Sequence, residues 1–163
     1  MKATVPGVML SLYQFGVLLQ GKSGIGKSEL ALALLDRGHQ LVSDDAVQLQ
    51  SDGDHIMASA PEKLRGYLGL RNIGIIPVET LFGADAVCTE QRLDLIINLI
   101  DDQQTIDPLP STWPNQITLG CDIPAIALQQ KSGRQLALVV ESAVKFAQTG
   151  YRSHFMTEDR HIV

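Results

Sequence analysis

Apolar and polar positions divide this chain into short apolar runs separated by turn chemistry, with two stretches of helical period. Residues 8–13 and 15–20 are apolar runs on either side of Gln14, a pattern that predicts a hairpin. From about Lys27 the character changes. Glu29-Leu30-Ala31-Leu32-Ala33-Leu34-Leu35 consists of good helix formers, and Gly38 after Arg37 offers a natural C-terminal stop. Residues 40–43 form a short strand that runs into Asp44-Asp45. Residues 47–49 and 55–58 flank Ser51-Asp52-Gly53-Asp54, and an Asp-Gly pair between strand-like runs signals a second hairpin. Pro61-Glu62-Lys63-Leu64 opens a short helix with proline at an early position. Residues 70–76 read as one strand and 78–82 as a helical turn. Residues 92–100 are apolar and β-branched, the best single strand in the chain. The stretch 101–115 holds three prolines and few apolar residues, so it is a long loop, and loops of that length are commonly functional. Residues 117–119 and 123–128 are strands. Ser132-Gly133-Arg134-Gln135 has the Ser-x-x-Gln form of a capping box. The helix that follows shows a stripe of Leu136, Val139, Val140, Ala143, Phe146 and Ala147, and ends at Gly150.

Many strands, several hairpins and two main helices predict an α/β fold with a mixed sheet rather than a regular βαβ repeat. The expected organisation is one domain over residues 1–150 and a polar tail over 151–163. A chain of 163 residues is long enough for a substantial core. Its net charge is −5 without a basic block, which argues against nucleic acid as the main partner. No apolar run approaches the roughly 20 residues of a membrane span. The opening Met1-Lys2-Ala3-Thr4-Val5-Pro6 does not read as a signal peptide, because the apolar segment after it is broken by Gln14 and Gly16. Cys88 and Cys121 lack metal-ligand spacing and suit reduced, cytoplasmic thiols.

The chemistry centres on Gly21-Lys22-Ser23-Gly24-Ile25-Gly26-Lys27-Ser28, a full match to G-x-x-x-x-G-K-[ST] between a predicted strand and a predicted helix. Glycines let successive backbone N–H groups turn inward around an anion, and the helix N-terminus adds its dipole. These eight residues are therefore the expected nucleotide-binding set. Lys27 is expected to reach the β- and γ-phosphates of ATP, and the Ser28 hydroxyl to ligate Mg²⁺. Such a loop needs a carboxylate partner, and two pairs compete. Asp44-Asp45 ends one strand, and Asp101-Asp102 ends the run Leu95-Ile96-Ile97-Asn98-Leu99-Ile100. On pattern alone the second pair is slightly preferred. For any single Asp pair, a solvated turn at a strand end is the commoner meaning.

Residues 15–47, FGVLLQGKSGIGKSELALALLDRGHQLVSDDAV, resemble the core of HPr kinase/phosphorylase. The resemblance continues through Leu70-Arg71-Asn72-Ile73-Gly74-Ile75-Ile76-Pro77-Val78, Leu81-Phe82-Gly83-Ala84, Arg92-Leu93-Asp94-Leu95-Ile96 and Ile123-Pro124 to Leu136. It implies a short form of that family without the extra N-terminal domain. It also implies a phosphate-loop fold similar to phosphoenolpyruvate carboxykinase, usually hexameric, and a protein-serine kinase acting on the phosphocarrier protein HPr. By resemblance Asp44 takes the proton from the target serine, Asp45 supports the Mg²⁺ shell, and Arg71 and Arg134 contact phosphate. Asp101-Asp102 then becomes structural. Three positions depart from the family pattern. Pro6 stands where the family has His, Gly69 where it has Glu, and Pro108, within Asp107-Pro108-Leu109, where it has Arg; Asn72 also replaces a Gly. These departures keep open a second function, a nucleotide-binding relative with another substrate or a regulatory role, and they weaken the case for the reverse phosphorolysis.

Overall fold

A computed structural model describes residues 1–130 and 135–150. Among these residues the strands are β1 (Lys2–Pro6), β2 (Val8–Leu12), β3 (Phe15–Gln20), β4 (Gln40–Ser43), β5 (Ala46–Asp52), β6 (His55–Ser59), β7 (Tyr67–Leu70), β8 (Gly74–Pro77), β9 (Glu90–Arg92), β10 (Leu95–Ile100), β11 (Asn115–Thr118) and β12 (Cys121–Gln129). The helices are α1 (Lys27–Asp36), α2 (Val78–Phe82) and α3 (Leu136–Gln148), with 3₁₀ turns at Glu62–Leu64 and Ala84–Ala86. A six-stranded sheet has the order β11-β12-β10-β3-β2-β4, a four-stranded sheet the order β1-β5-β6-β9, and β7 pairs with β8 alone. In the larger sheet β10 runs parallel to both β3 and β12, whereas β2 is antiparallel to β3 and β4. The mixed α/β sheet expected from the sequence is present.

Alternation along the central strands explains the layering. Val8, Leu10 and Leu12 of β2, Val17 and Leu19 of β3, and Leu95, Ile97 and Leu99 of β10 join one buried cluster with Leu30 and Leu34 of α1 and Val140 and Val144 of α3. The intervening Met9, Leu18 and Ile96 join a second cluster with Val47, Leu49 and Ile56 of the four-stranded sheet. With side-chain period two, the six-stranded sheet is therefore buried on both faces, with helices on one side and the smaller sheet on the other. Each buried aliphatic side chain of this kind is worth about 1.5–3 kcal/mol relative to exposure. Gly16 fits where a side chain cannot, because a Cβ there would lie 1.8 Å from the Arg92 carbonyl oxygen. Its N–H donates to Asp94 Oδ2 at 2.8 Å, which joins the start of β3 to the segment entering β10.

The structure corrects several boundaries. β1, for which the apolar pattern gives no signal, is a short edge strand with no fully buried residue, ending in proline and paired antiparallel with β5. Residues 70–76 are a turn flanked by strands, not one strand. The Ile73 N–H donates to the Leu70 carbonyl, and Asn72 takes φ 70°, a left-handed value that Asn tolerates. Residues 92–100 divide between β9 and β10. The helix expected from Pro61 is a single 3₁₀ turn. In α3 the fully buried positions are Leu136, Val140, Glu141 and Val144, so the stripe is rotated towards Val144 and includes a carboxylate. The capping box at 132–135 and the tail 151–163 fall wholly or mainly outside the described residues.

An ionic cluster, buried at Glu141 and His39 and exposed at Arg37, fastens α3 to the end of α1. Glu141 accepts from Arg37 Nε at 2.8 Å, and its other oxygen lies 2.6 Å from His39 Nε2. Hydrogen bonding from Arg37, then from His39, holds the Glu141 carboxyl at about 2, against the desolvation that opposes it.

Candidate active site

The site forms where β3, β4 and β7 end or pass close together. β3 delivers the glycine-rich loop, and α1 leaves it. Gly26 is the N-cap of α1 with φ 112° and ψ 21°, and no side chain caps the helix. The first-turn N–H groups of α1 are thus left for solvent or an anion. Gly21, Ser23, Gly24, Gly26, Lys27 and Ser28 of the loop line a cleft of about 480 Å³. The other two loop residues turn away. Lys22 pairs with Asp101 at 2.8 Å, and Ile25 enters the core. Lys27 folds over its own loop, with Nζ donating to the carbonyls of Gly21 at 2.6 Å and Lys22 at 3.1 Å. Its cation is therefore held beside the cradle by weak neutral acceptors, which an anion can outcompete.

Asp44 follows β4 and is buried. Its Oδ1 accepts from Ser28 Oγ at 3.3 Å, and its Oδ2 from the Gly69 N–H at 2.8 Å. Burial raises its pKa; the Gly69 and Ser28 hydrogen bonds oppose the rise, and repulsion by Asp45 adds to it. Asp45 is exposed at the cleft wall with φ 73°, a left-handed value that an aspartate can adopt. The turn is fixed by Ser43 Oγ donating to the Ala46 carbonyl at 2.5 Å and by the Gly7 N–H donating to the Asp45 carbonyl at 3.2 Å. Arg71 reaches the glycine-rich loop from the other wall: a Cβ on Gly24 would lie 3.0 Å from its Nη2. The cleft thus holds a cradle of N–H groups, two cationic side chains, the hydroxyls of Ser23, Ser28 and Tyr67, and the carboxylates of Glu29, Asp44 and Asp45. Such a set can bind an anionic ligand and move a proton beside it.

Among the sequence candidates, the loop, Asp44, Asp45 and Arg71 come together. The competing pair does not join them. β10 is the parallel neighbour of β3, so the strand-end argument for Asp101 is sound in topology. Its carboxylate is nevertheless engaged by Lys22, whose hydrogen bond lowers its pKa, and it is not among the residues lining the cleft. Arg134 lies outside the described residues. Pro6 and Gly69 both line the cleft, whereas Pro108 sits in the loop after β10. Sequence reasoning missed Tyr67 and Ile75, which also line the cleft. The signal lies in the apolar residues on either side of the turn at 71–73, which the expectation of one strand over 70–76 hides.

Residues 1–160 match the family model described as the HPr Serine kinase C-terminal domain. An HPr kinase/phosphorylase of Geobacillus kaustophilus is 43% identical over 142 residues, covering 85% of this chain and 46% of the relative. One from Caldanaerobacter subterraneus is 40% identical over 156 residues, covering 92% of this chain and 51% of the relative. The chain spans about half the length of the curated relatives it matches. A solved structure, that of the Hpr(Ser) kinase/phosphatase from Coxiella burnetii, aligns with a TM-score of 0.87 at 35% identity, covering 99% of each chain.

Proposed function

The chain belongs to the family of the HPr serine kinase C-terminal domain, and from that premise we propose that it is an ATP-dependent protein-serine kinase that phosphorylates HPr. Its fold on this reading is a phosphate-loop domain resembling phosphoenolpyruvate carboxykinase. The observation that carries the proposal is Asp44, held between Ser28 Oγ and the Gly69 N–H in a cleft also lined by Lys27 and Arg71. The loop N–H groups and the uncapped first turn of α1 hold the β- and γ-phosphates. Lys27 exchanges the carbonyls of Gly21 and Lys22 for a phosphate oxygen, and Arg71 contributes a second cation from the opposite wall. Asp44 accepts the proton of the attacking serine hydroxyl. The upward shift that burial gives its carboxyl makes it a better proton acceptor than a solvated aspartate.

Mg²⁺ suits the oxygen donors available, the Ser28 hydroxyl and the Asp45 carboxylate. Among the described residues no group of three or more His, Cys, Asp or Glu could form an all-protein cage, which leaves such an ion to be shared with substrate phosphates. When bound, it supplies charge neutralisation on the phosphates. Arg134 belongs to the same proposal as a phosphate contact, as do residues 1–150 as the kinase domain, a homo-oligomeric assembly (hexameric by resemblance) and a cytoplasmic location. Among the described residues no helix is long and apolar enough to cross a membrane.

Pro6 and Gly69 favour a second reading, because both line the cleft without a polar side chain where the family pattern has His and Glu. That reading is a nucleotide-binding protein with another substrate or a regulatory role. Phosphorolysis is the weaker direction on either reading. Incubation with γ-labelled ATP, Mg²⁺ and HPr separates them. Label on an HPr serine is expected; tight ATP binding without transfer favours the second reading.

A further inference from the structure

A second cavity, of about 390 Å³, adjoins the glycine-rich loop between α1 and the start of α3. That volume lies within the range of small-molecule sites. Its apolar wall includes Ala33 of α1 and Leu138 of α3, both exposed, with Leu138 at 51%. The cavity and the cleft share one residue, Glu29. They also meet at Gly26, where a Cβ would lie only 2.5 Å from Nε2 of Gln130, a residue of the second cavity. Gln130 is fixed from behind, since its main-chain N–H donates to the Ile100 carbonyl at 2.8 Å just past β12. Its side-chain carboxamide has no hydrogen-bond partner among the described residues.

The two hollows differ in charge. The cleft offers the cations Lys27 and Arg71. In the second cavity the cation is Arg37, which is engaged by Glu141 at 2.6 Å. The carboxylates there are Glu29 and Asp36, and the neutral polar groups are the amides of Gln130 and Gln135. Such a wall repels a phosphate and suits a partly apolar group that carries hydroxyl and amine donors. The direction of a bound nucleotide follows from Asp44. On the kinase reading the γ-phosphate faces Asp44, so the α-phosphate and whatever it carries leave the cleft elsewhere along the loop. Glu29 follows Ser28 directly and borders both hollows, which is where a sugar joining phosphate to base would fall.

We propose that the second cavity receives the nucleoside of the phosphoryl donor, with the ribose hydroxyls donating to Glu29, the base against Ala33 and Leu138, and the base edge met by the Gln130 carboxamide. This rests on the kinase reading and deepens it, because it makes the donor a ribonucleotide recognised along its whole length. A carboxamide can both donate and accept, so Gln130 serves the mixed edge of a base.

Calorimetry in Mg²⁺ tests this with ATP, 2′,3′-dideoxy-ATP and inorganic tripolyphosphate on wild type, Ala33→Phe and Glu29→Ala. Ala33 is an exposed helix position, so Phe there fills the cavity without entering the core. Ala33→Phe is expected to weaken ATP about tenfold or more by excluding the base, and to leave tripolyphosphate within twofold of wild type. Retained tripolyphosphate binding also reports that the loop is intact. Wild type should prefer ATP to its dideoxy analogue about tenfold, the worth of a hydrogen bond to a charged acceptor, and Glu29→Ala should lose that preference. ATP affinity unchanged in Ala33→Phe, or lost equally for ATP and tripolyphosphate, overturns the nucleoside site and leaves the kinase reading standing. A preference for ATP over the dideoxy analogue that persists in Glu29→Ala overturns the ribose contact. Binding of neither ATP nor tripolyphosphate by wild type removes the kinase reading and this inference with it.

Discussion

Replacing Asp44 by Asn should move activity and stability in opposite directions. Asn keeps the shape and can still accept the Gly69 N–H through its amide oxygen, while its NH₂ group faces the Ser28 oxygen. Folding and ATP affinity are therefore expected to survive, because the loop rather than Asp44 supplies the anion contacts. Transfer should fall by about 10² to 10⁴, or about 2.7–5.4 kcal/mol in the barrier, the usual contribution of a general base. The stability effect follows from the raised pKa. In the folded chain burial makes Asp44 hold its proton more tightly than in the unfolded chain. Native protein then binds more protons than unfolded protein between the unfolded and folded pKa values, and stability falls as pH rises through that window. At neutral pH the charged Asp44 is thus a net cost to the fold, and Asn removes it. The Tm of Asp44→Asn should equal or exceed that of wild type while labelled transfer collapses. In wild type the acidic limb of the kcat profile should be displaced upward from that of a solvated aspartate and disappear in the variant. Asp44→Asn turning over at the wild-type rate, with Asp101→Asn inactive, would refute the reasoning and return the role to the pair after β10.

Lys27→Ala should weaken ATP binding by about 1.5–3 kcal/mol, roughly 10- to 150-fold in Kd, the worth of a hydrogen bond to a charged group; equal dissociation constants by calorimetry would remove Lys27 from the site. Glu141→Gln should destabilise the fold by about 1–3 kcal/mol in urea denaturation at neutral pH, because it strips the carboxylate from Arg37 and from buried His39. Since the folded Glu141 carboxyl is held at about 2 from an ordinary 4.5, its contribution is present above pH 4.5 and lost as pH falls towards 2. The wild-type stability curve should therefore fall faster than that of Glu141→Gln across this range, and parallel curves would show that the cluster is not coupled to folding.

Local turn chemistry and strict periodicity account for what was legible in the chain. The glycine-rich loop, α1, the strand after it and the hairpin at Gly53 all combine a distinct apolar run with a residue that forces its end. Two further strands lack that combination: β1 is a short edge with no fully buried residue and β9 is only three residues long, and both are defined by pairing with β5 and β6 rather than by their own composition. Glu141 was invisible for a related reason. A carboxylate on the buried face of a helix breaks the apolar pattern, and its partners Arg37 and His39 are more than a hundred residues away. The rivalry between Asp44 and Asp101 also lay beyond periodicity, because both follow apolar strands. It turns on which side chain meets Ser28 and which meets Lys22, a property of tertiary packing.

Gly69 shows how one position couples the departures from the family pattern to what remains. Its main chain still donates to Asp44 Oδ2, so the carboxylate keeps its orientation without any side chain from β7. A Cβ at this position would meet Asp44 Oδ2 at 3.6 Å, ordinary contact, so the glycine is not there to avoid a clash. Nor is its φ among the left-handed values of the chain, so the backbone does not require it. What its absence of side chain changes is charge and cover. A carboxylate there would press on Asp44 and raise the cost of ionising it further, while adding an oxygen donor for a cation. Without one, the cleft bears less negative charge beside Asp44 and Asp45, and Ile75 opposite is left open to solvent. The same vacancy that removes a potential metal ligand therefore widens the apolar face beside the cleft. On the proposed kinase reading, holding a nucleotide then falls more heavily on the loop, Lys27 and Arg71.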